Sequence, residues 1–562
     1  MSRRPALHFR SFRLPSYGCL AVSVWLLSAT GHAQEVASGS VDFPTSCDAR
    51  VAAEFNRAVE LLHSFEYSDS EATFRRILDA EPTCAMARWG VAMNQWHPLW
   101  DRPGEPALES GAAMLADIDV STLSPREAEY IGALRLFYAD HRRTPHQTRA
   151  LRYQQRMQQL YAGHLDDPEA AVFYALALLA SADPMDKTYC QQFKAAGVLN
   201  GVRAARPEHP GVLHYLIHSY DYPSLAHLAL DAATIYAGVA QGSAHAQHMP
   251  SHIFTRLGLW ERSIASNHDA SASAAEYTER ANLPGHYDEG IHSMDYLMYA
   301  LLQTGDDDGA KRLLDELRSL GNAHPENFKV AYTYAASPAR YALERRDWPE
   351  ASRLDLVPRN FPWDDFGWAQ AIHHFARGIG SARSGQLDLA TRELAKIRRI
   401  AEHLPADTLP YWREEVFVHA DAVASWIALA EGNSDTALEL AEAAADREDA
   451  VDKHPVTPGE VLPARELFGD MLLELGMPAQ ALTEYEQVLA RSPNRVNTLM
   501  GAARASFASG GTDAATAYYG QVVRQTMARG HGRERFREAR EYVSDRGSSP
   551  HTPGSIATHP RD

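Results

Sequence analysis

The chain is poor in the features that mark most enzyme classes. Its 562 residues hold four cysteines. There is no H-E-x-x-H, which excludes the zincin arrangement with its built-in general base. A G-x-S-x-G elbow and a P-loop are likewise missing. Basic excess is lacking too: the formal charge is −18, against the basic stripe a general nucleic-acid binder needs. Past the first thirty residues no apolar run approaches the roughly 20 residues that cross a bilayer. Alternating β-branched stretches never persist over a useful length, so strands are not expected.

The N-terminus has the anatomy of a secretory signal. Arg3, Arg4, Arg10 and Arg13 precede an apolar run from Gly18 to Ala29, and Gly31-His32-Ala33 offers a small-residue cleavage site. Residues 1–33 are read as a signal peptide, and the mature chain as an exported protein, periplasmic or secreted, with no membrane span. Cys19 leaves with the signal. Cys47, Cys84 and Cys190 remain, and in an oxidising compartment the simplest arrangement is one disulfide plus one buried thiol. Cys47 with Cys84 is the expected pair.

An internal period sets the fold class. From Leu467, the residues Gly469, Leu472, Ala481, Tyr485 and Pro493 occupy the small, large, small, large and proline positions of a tetratricopeptide (TPR) repeat. Ala515 and Tyr519 repeat Ala481 and Tyr485 34 residues on, which is the TPR period. The same frame fits Gly378, Gly385, Ala390 and Leu394; Ser425, Gly432, Ala437 and Ala441; Met298, Gly305, Ala310 and Leu314; and the segment bearing Phe74 and Pro82. An all-α solenoid of stacked antiparallel helix pairs follows. The expected divisions are 34–320, a TPR-like array with a His-rich groove; 321–545, a second array ending in a charged capping helix; and 546–562, a disordered tail.

Two H-x-x-x-H pairs stand out on this frame: His214 with His218, and His248 with His252 inside H-A-Q-H-M-P-S-H, which also carries His245. Both map to A helices, which line the concave side of a TPR stack. His214 and His218 share a helix face. Pro250 is comfortable only in a first helical turn, so His248 is expected just before the helix start. The next A helix adds His286, His292 and Asp295, and Asp221 is placed to orient a ring or to ligate. Histidine at these spacings suits Zn, Cu or Fe, so a divalent transition-metal site is expected on His214, His218, His248 and His252. His63, Glu66 and His97 read as packing, and Cys84 as a buried residue rather than a nucleophile.

The block H-P-G-V-L-H-Y-L-I-H-S-Y-D-Y-P, followed by H-A-Q-H-M-P-S-H-I-F-T-R-L-G, resembles a family of exported bacterial TPR proteins. L-L-H-S-F-E-Y, C-A-M-A-R-W-G-V-A-M and A-V-F-Y-A-L-A-L-L-A-S-A-D-P extend the resemblance over residues 50–310. It implies the fold and the singularity of the histidine block, and carries no chemistry. The functional expectation is a solenoid that binds a protein or peptide in its concave groove around a histidine metal site. The rivals are a metal-dependent hydrolase or oxidoreductase on the same residues, with Glu66, Asp221, Glu289 or Asp295 as base, and a metal carrier.

Overall fold

The computed structural model describes residues 41–547, apart from 100, 101, 407, 452–455 and 531. The expected signal peptide and all but the first residues of the expected tail lie outside the described residues.

The chain is an all-α array of helices in which each packs on the next. Those that build the site and its frame are α1 (Ala52–His63), α2 (Tyr67–Ala80), α3 (Ala85–Met93), α4 (Pro168–Ala180), α5 (Pro210–Tyr220), α6 (Ala244–His248), α7 (Pro250–Arg256), α8 (Trp260–Arg280), α9 (Asp288–Thr304) and α10 (Phe328–Glu344). Further on come α11 (Ala464–Glu474), α12 (Pro478–Arg491), α13 (Val496–Ala508), α14 (Thr512–Thr526) and α15 (Glu534–Gly547). Strand structure among the described residues is one parallel pairing of two-residue segments, β1 (His286–Tyr287) with β2 (Ala323–His324).

Small residues meet rings where the repeat frame places them. A Cβ built on Gly469 of α11 would stand 2.9 Å from the Tyr485 ring of α12, and one on Gly501 of α13 would stand 2.3 Å from it. Tyr485 is buried between the two glycines. In the first pair, Gly90 of α3 meets Phe74 of α2 at 2.5 Å in the same sense. Apolar packing falls into three clusters, spanning Val41–Phe254, Trp260–Ala505 and Val496–Ala539.

Polar contacts tie the C-terminal repeats to the middle of the chain. Trp260 Nε1 donates to the Asn494 carbonyl at 2.9 Å. Arg495 pairs with Glu344 at 2.6 Å and Glu466 at 2.7 Å, and also donates to the Tyr299 hydroxyl. All three charged side chains are fully buried, a position tolerable only because each charge meets an opposite one.

Cys47 and Cys84 form a disulfide, so Cys84 is a structural cysteine. The expectation of a buried third thiol is corrected: Cys190, the first residue of a helix, is exposed.

Tyr485→Ala should cost about 3–4 kcal/mol by emptying the space between two glycines that cannot fill it. Urea unfolding should show a lowered midpoint, and Gly501→Ala should lower it as well, since its Cβ has no room.

Candidate metal centre

The site begins with a close approach between α1 and α5. Pro210 takes the first turn of α5, where its missing N–H is harmless, and His209 caps it by accepting the Val212 N–H on Nδ1. Gly211 follows, and a Cβ there would stand 2.7 Å from Nδ1 of His63. Only glycine lets the helices come this near. As a result, His214, one turn further on, reaches the C-terminus of α1. There its Nδ1 meets the His63 carbonyl at 2.7 Å, one of the orphan acceptors of a helix end.

A satisfied network holds that approach in place. Glu169 of α4 accepts from His63 Nε2 at 2.9 Å and from His209 Nε2 at 2.8 Å. The Tyr215 hydroxyl lies 3.0 Å from His63 Nδ1, which accepts its proton. Burial opposes the charge on Glu169, but the two imidazoles hold its carboxyl well below the usual range. His63, His209 and Glu169 could form a metal trio by distance alone, yet each ring nitrogen already has its hydrogen-bond partner. Their role is to fix the His63 carbonyl.

The second H-x-x-x-H pair sits where one helix runs into another. His248 is the last residue of α6, and Pro250 opens α7. Between them Met249 keeps helical geometry, φ −53° and ψ −37°. The proline therefore removes one donor, and with Met249 helical His248 and His252 keep an i, i+4 relation, their Nε2 atoms 2.9 Å apart. His248 does precede the helix that Pro250 opens, as expected, but it closes α6 rather than lying in a loop.

The four histidines do not gather as one set. Each pair takes a third ring. His214 Nε2 lies 3.1 Å from His218 Nε2 and 3.1 Å from His245 Nε2. His248 Nε2 lies 2.9 Å from His252 Nε2, and the His292 ring of α9 sits 4.4 Å from that of His248, centroid to centroid. Within each trio one ligand atom per ring falls inside 4.8 Å of the others. Across the gap, His218 faces His252 at 6.3 Å and His245 faces His248 at 6.5 Å between ring centroids. All six rings are less than a tenth exposed.

Hydrogen-bond partners assign the tautomers. His214 Nδ1 faces a carbonyl, which only accepts, so that nitrogen carries the proton. His245 Nδ1 faces Glu289 at 3.2 Å, and His252 Nδ1 faces Asp221 at 2.9 Å; both partners are carboxylates. His248 Nδ1 faces Asn267 Oδ1 at 2.7 Å, and that amide is oriented by donating its NH2 to the Ser263 carbonyl. A neutral ring with its proton on Nδ1 has a bare lone pair on Nε2. With all four rings neutral, His214 opposes His245, and His248 opposes His252, lone pair to lone pair at about 3 Å.

Burial works against charging His214, His248 or His292 themselves. Burial, reinforced by His218 and His245, depresses the pKa of His214 well below the ordinary value. Burial also brings His248 down to about 3, against the pull of Asn267, and lowers His292, whose Nδ1 is buried without a hydrogen-bond partner. A cation bound to the Nε2 atoms relieves the opposition. Two nitrogens at 2.0–2.1 Å from a tetrahedral ion stand about 3.3 Å apart, close to the separations found. Metal-bound histidines also donate their other N–H to a carboxylate, carbonyl or similar acceptor, as these four do.

The acceptors are held in turn. Asp221 pairs with Arg256 at 3.2 Å. Glu289 is buried, which opposes its charge, but Lys329 and His245 keep its carboxyl well below the usual range. The Tyr296 hydroxyl donates to the Thr457 carbonyl and lies 3.3 Å from His252 Nδ1. Asp221 thus orients His252 rather than joining the Nε2 atoms. Asp295 faces Arg340 at 3.4 Å, and burial pushes it up to about 6; it touches none of the six rings. His286 lies in β1, partly buried, its pKa lowered by burial against the pull of Glu316, and joins neither trio. Asn267, Glu169 and the His63 carbonyl had no signature in the sequence.

A cleft of about 750 Å³ lies elsewhere, lined by Asp307, Arg345, Arg346, Arg504 and Arg533 among others; these arginines pair with carboxylates.

No protein-family model and no curated protein matches the chain. Solved structures with a similar helical fold include a monomeric IFIT1 mutant with Gppp-AAAA (11% identity, 85% of this chain and 96% of that one, TM-score 0.35). The TPR domain of P58(IPK) is another (14% identity, 89% and 100%, TM-score 0.18), as is a human IFIT1 dimer with m7Gppp-AAAA (11% identity, 85% and 96%, TM-score 0.34). Likenesses this low transfer nothing about ligands.

Glu169→Gln places an amide N–H against a histidine N–H inside the protein and should cost about 2–4 kcal/mol. Thermal unfolding should report it as a lowered Tm, with no comparable loss for a change at exposed Glu105.

Proposed function

We propose that the chain is a helical-repeat metalloprotein that binds late first-row transition metal on histidine Nε2 atoms. The observation that carries this reading is the opposition of Nε2 lone pairs among buried rings whose Nδ1 protons are all committed elsewhere. Imidazole ligands favour Zn, Cu, Fe or Ni over Mg, Ca or Mn. Export is part of the proposal, supported by the signal anatomy of residues 1–33 and in keeping with a Cys47–Cys84 disulfide. A groove-bound protein or peptide partner rests on the repeat architecture alone, and fold by itself licenses no function.

A second reading, a metal-dependent enzyme, is favoured by one feature. Three protein ligands per ion leave a coordination position open, the pattern of catalytic rather than structural sites.

Untagged protein should copurify with transition metal by elemental analysis, and His214→Ala with His248→Ala should abolish it. Metal-free wild-type protein that fails to take up Zn²⁺ or Cu²⁺ while folded contradicts the reading. Asp221→Ala, which frees His252 to turn, should weaken metal affinity about 10–100-fold in competition with a chelating dye.

A further inference from the structure

We propose that the six histidines hold two ions side by side: one on His214, His218 and His245, the other on His248, His252 and His292. This rests on the metal reading above and adds stoichiometry and a shared ligand to it.

A single ion cannot serve all six rings. Ligand nitrogens on one ion lie at most about 4.2 Å apart, twice the metal–nitrogen bond. The ligand nitrogens instead fall into two separate sets of three, each within 4.8 Å, and no set that close takes in rings of both trios. Each trio also contains its own opposed pair, His214 with His245 and His248 with His252. One ion relieves one opposition and leaves the other in place. The orienting acceptors come in two sets as well: the His63 carbonyl and Glu289 for the first trio, Asn267 and Asp221 for the second.

The trios are adjacent, His218 facing His252 and His245 facing His248, and ions in two-metal sites stand about 3.5–4 Å apart. At that spacing the open positions converge on one small oxygen ligand. Charge requires such a ligand to be anionic. The six rings are neutral ligands, and the nearby carboxylates are engaged elsewhere, Asp221 with Arg256 and Glu289 with Lys329, which Asp288 shares. Hydroxide between the ions offsets the charge that the protein leaves uncompensated.

Metal-free wild-type protein dialysed against ZnSO4 should bind two equivalents per chain. After loading with CuSO4, it should hold two Cu²⁺ whose electron paramagnetic resonance signal integrates to much less spin than the copper present, because a bridged pair couples. His245→Gln should reduce Zn²⁺ binding to one equivalent, and His292→Gln, in the other trio, should do the same; circular dichroism confirms that each is folded. One equivalent in wild type, removed by a change in either trio, overturns the paired site while the metal reading stands. Two copper ions with full spin intensity overturn the shared bridge. No binding in folded wild type overturns the metal reading itself.

Discussion

An imidazole ring has two nitrogens, and committing one determines the other. Here a carbonyl, two carboxylates and an oriented amide each take an Nδ1 proton from a different buried ring. Each of those rings, when neutral, turns its Nε2 lone pair toward that of another ring. Desolvation makes the arrangement consequential, since protonating His214 or His248 would put charge where water cannot reach. The helices around the site serve this constraint. Gly211 brings α5 against α1, Glu169 fixes His63, and Met249, in helical conformation, joins α6 to α7.

The repeat architecture explains how so polar a cluster can be buried. A lone helix cannot enclose six histidines. In a stack, successive helices supply rings from several sides: α5 two, α6 two, α7 one and α9 one. Phe65, from the turn between α1 and α2, together with Tyr236 and Tyr296, lies against the rings. The loop through Thr457 and Gly459 reaches the same region, receiving hydrogen bonds from Tyr296 and Arg340. Residues more than 150 positions apart in the chain thus enclose one site.

The fold was legible because it is written in a period. Gly469 and Tyr485 could be assigned roles before any coordinates, since the spacing of small and large residues is the packing rule itself. The histidine block was legible as a cluster for a related reason: i, i+4 spacing puts two rings on one helix face. Its division into two trios was not. Which third ring joins which pair depends on crossing helices, so His245 and His292 carried no stronger signal than His286, which β1 leads away from the site. The acceptors were the least legible. A backbone carbonyl has no letter, and Asn267 and Glu169 lie on helices whose sequence gives no hint of what they face.

The most direct test of the account is the coordination shell of metal in the loaded protein, read by X-ray absorption at the metal edge. Opposed Nε2 atoms predict a first shell dominated by nitrogen at about 2.0–2.1 Å, with the outer-shell scattering of several imidazole rings. A shell of oxygen or sulfur without imidazole scattering would contradict it, because the metal would then be bound elsewhere and the opposed lone pairs left unexplained.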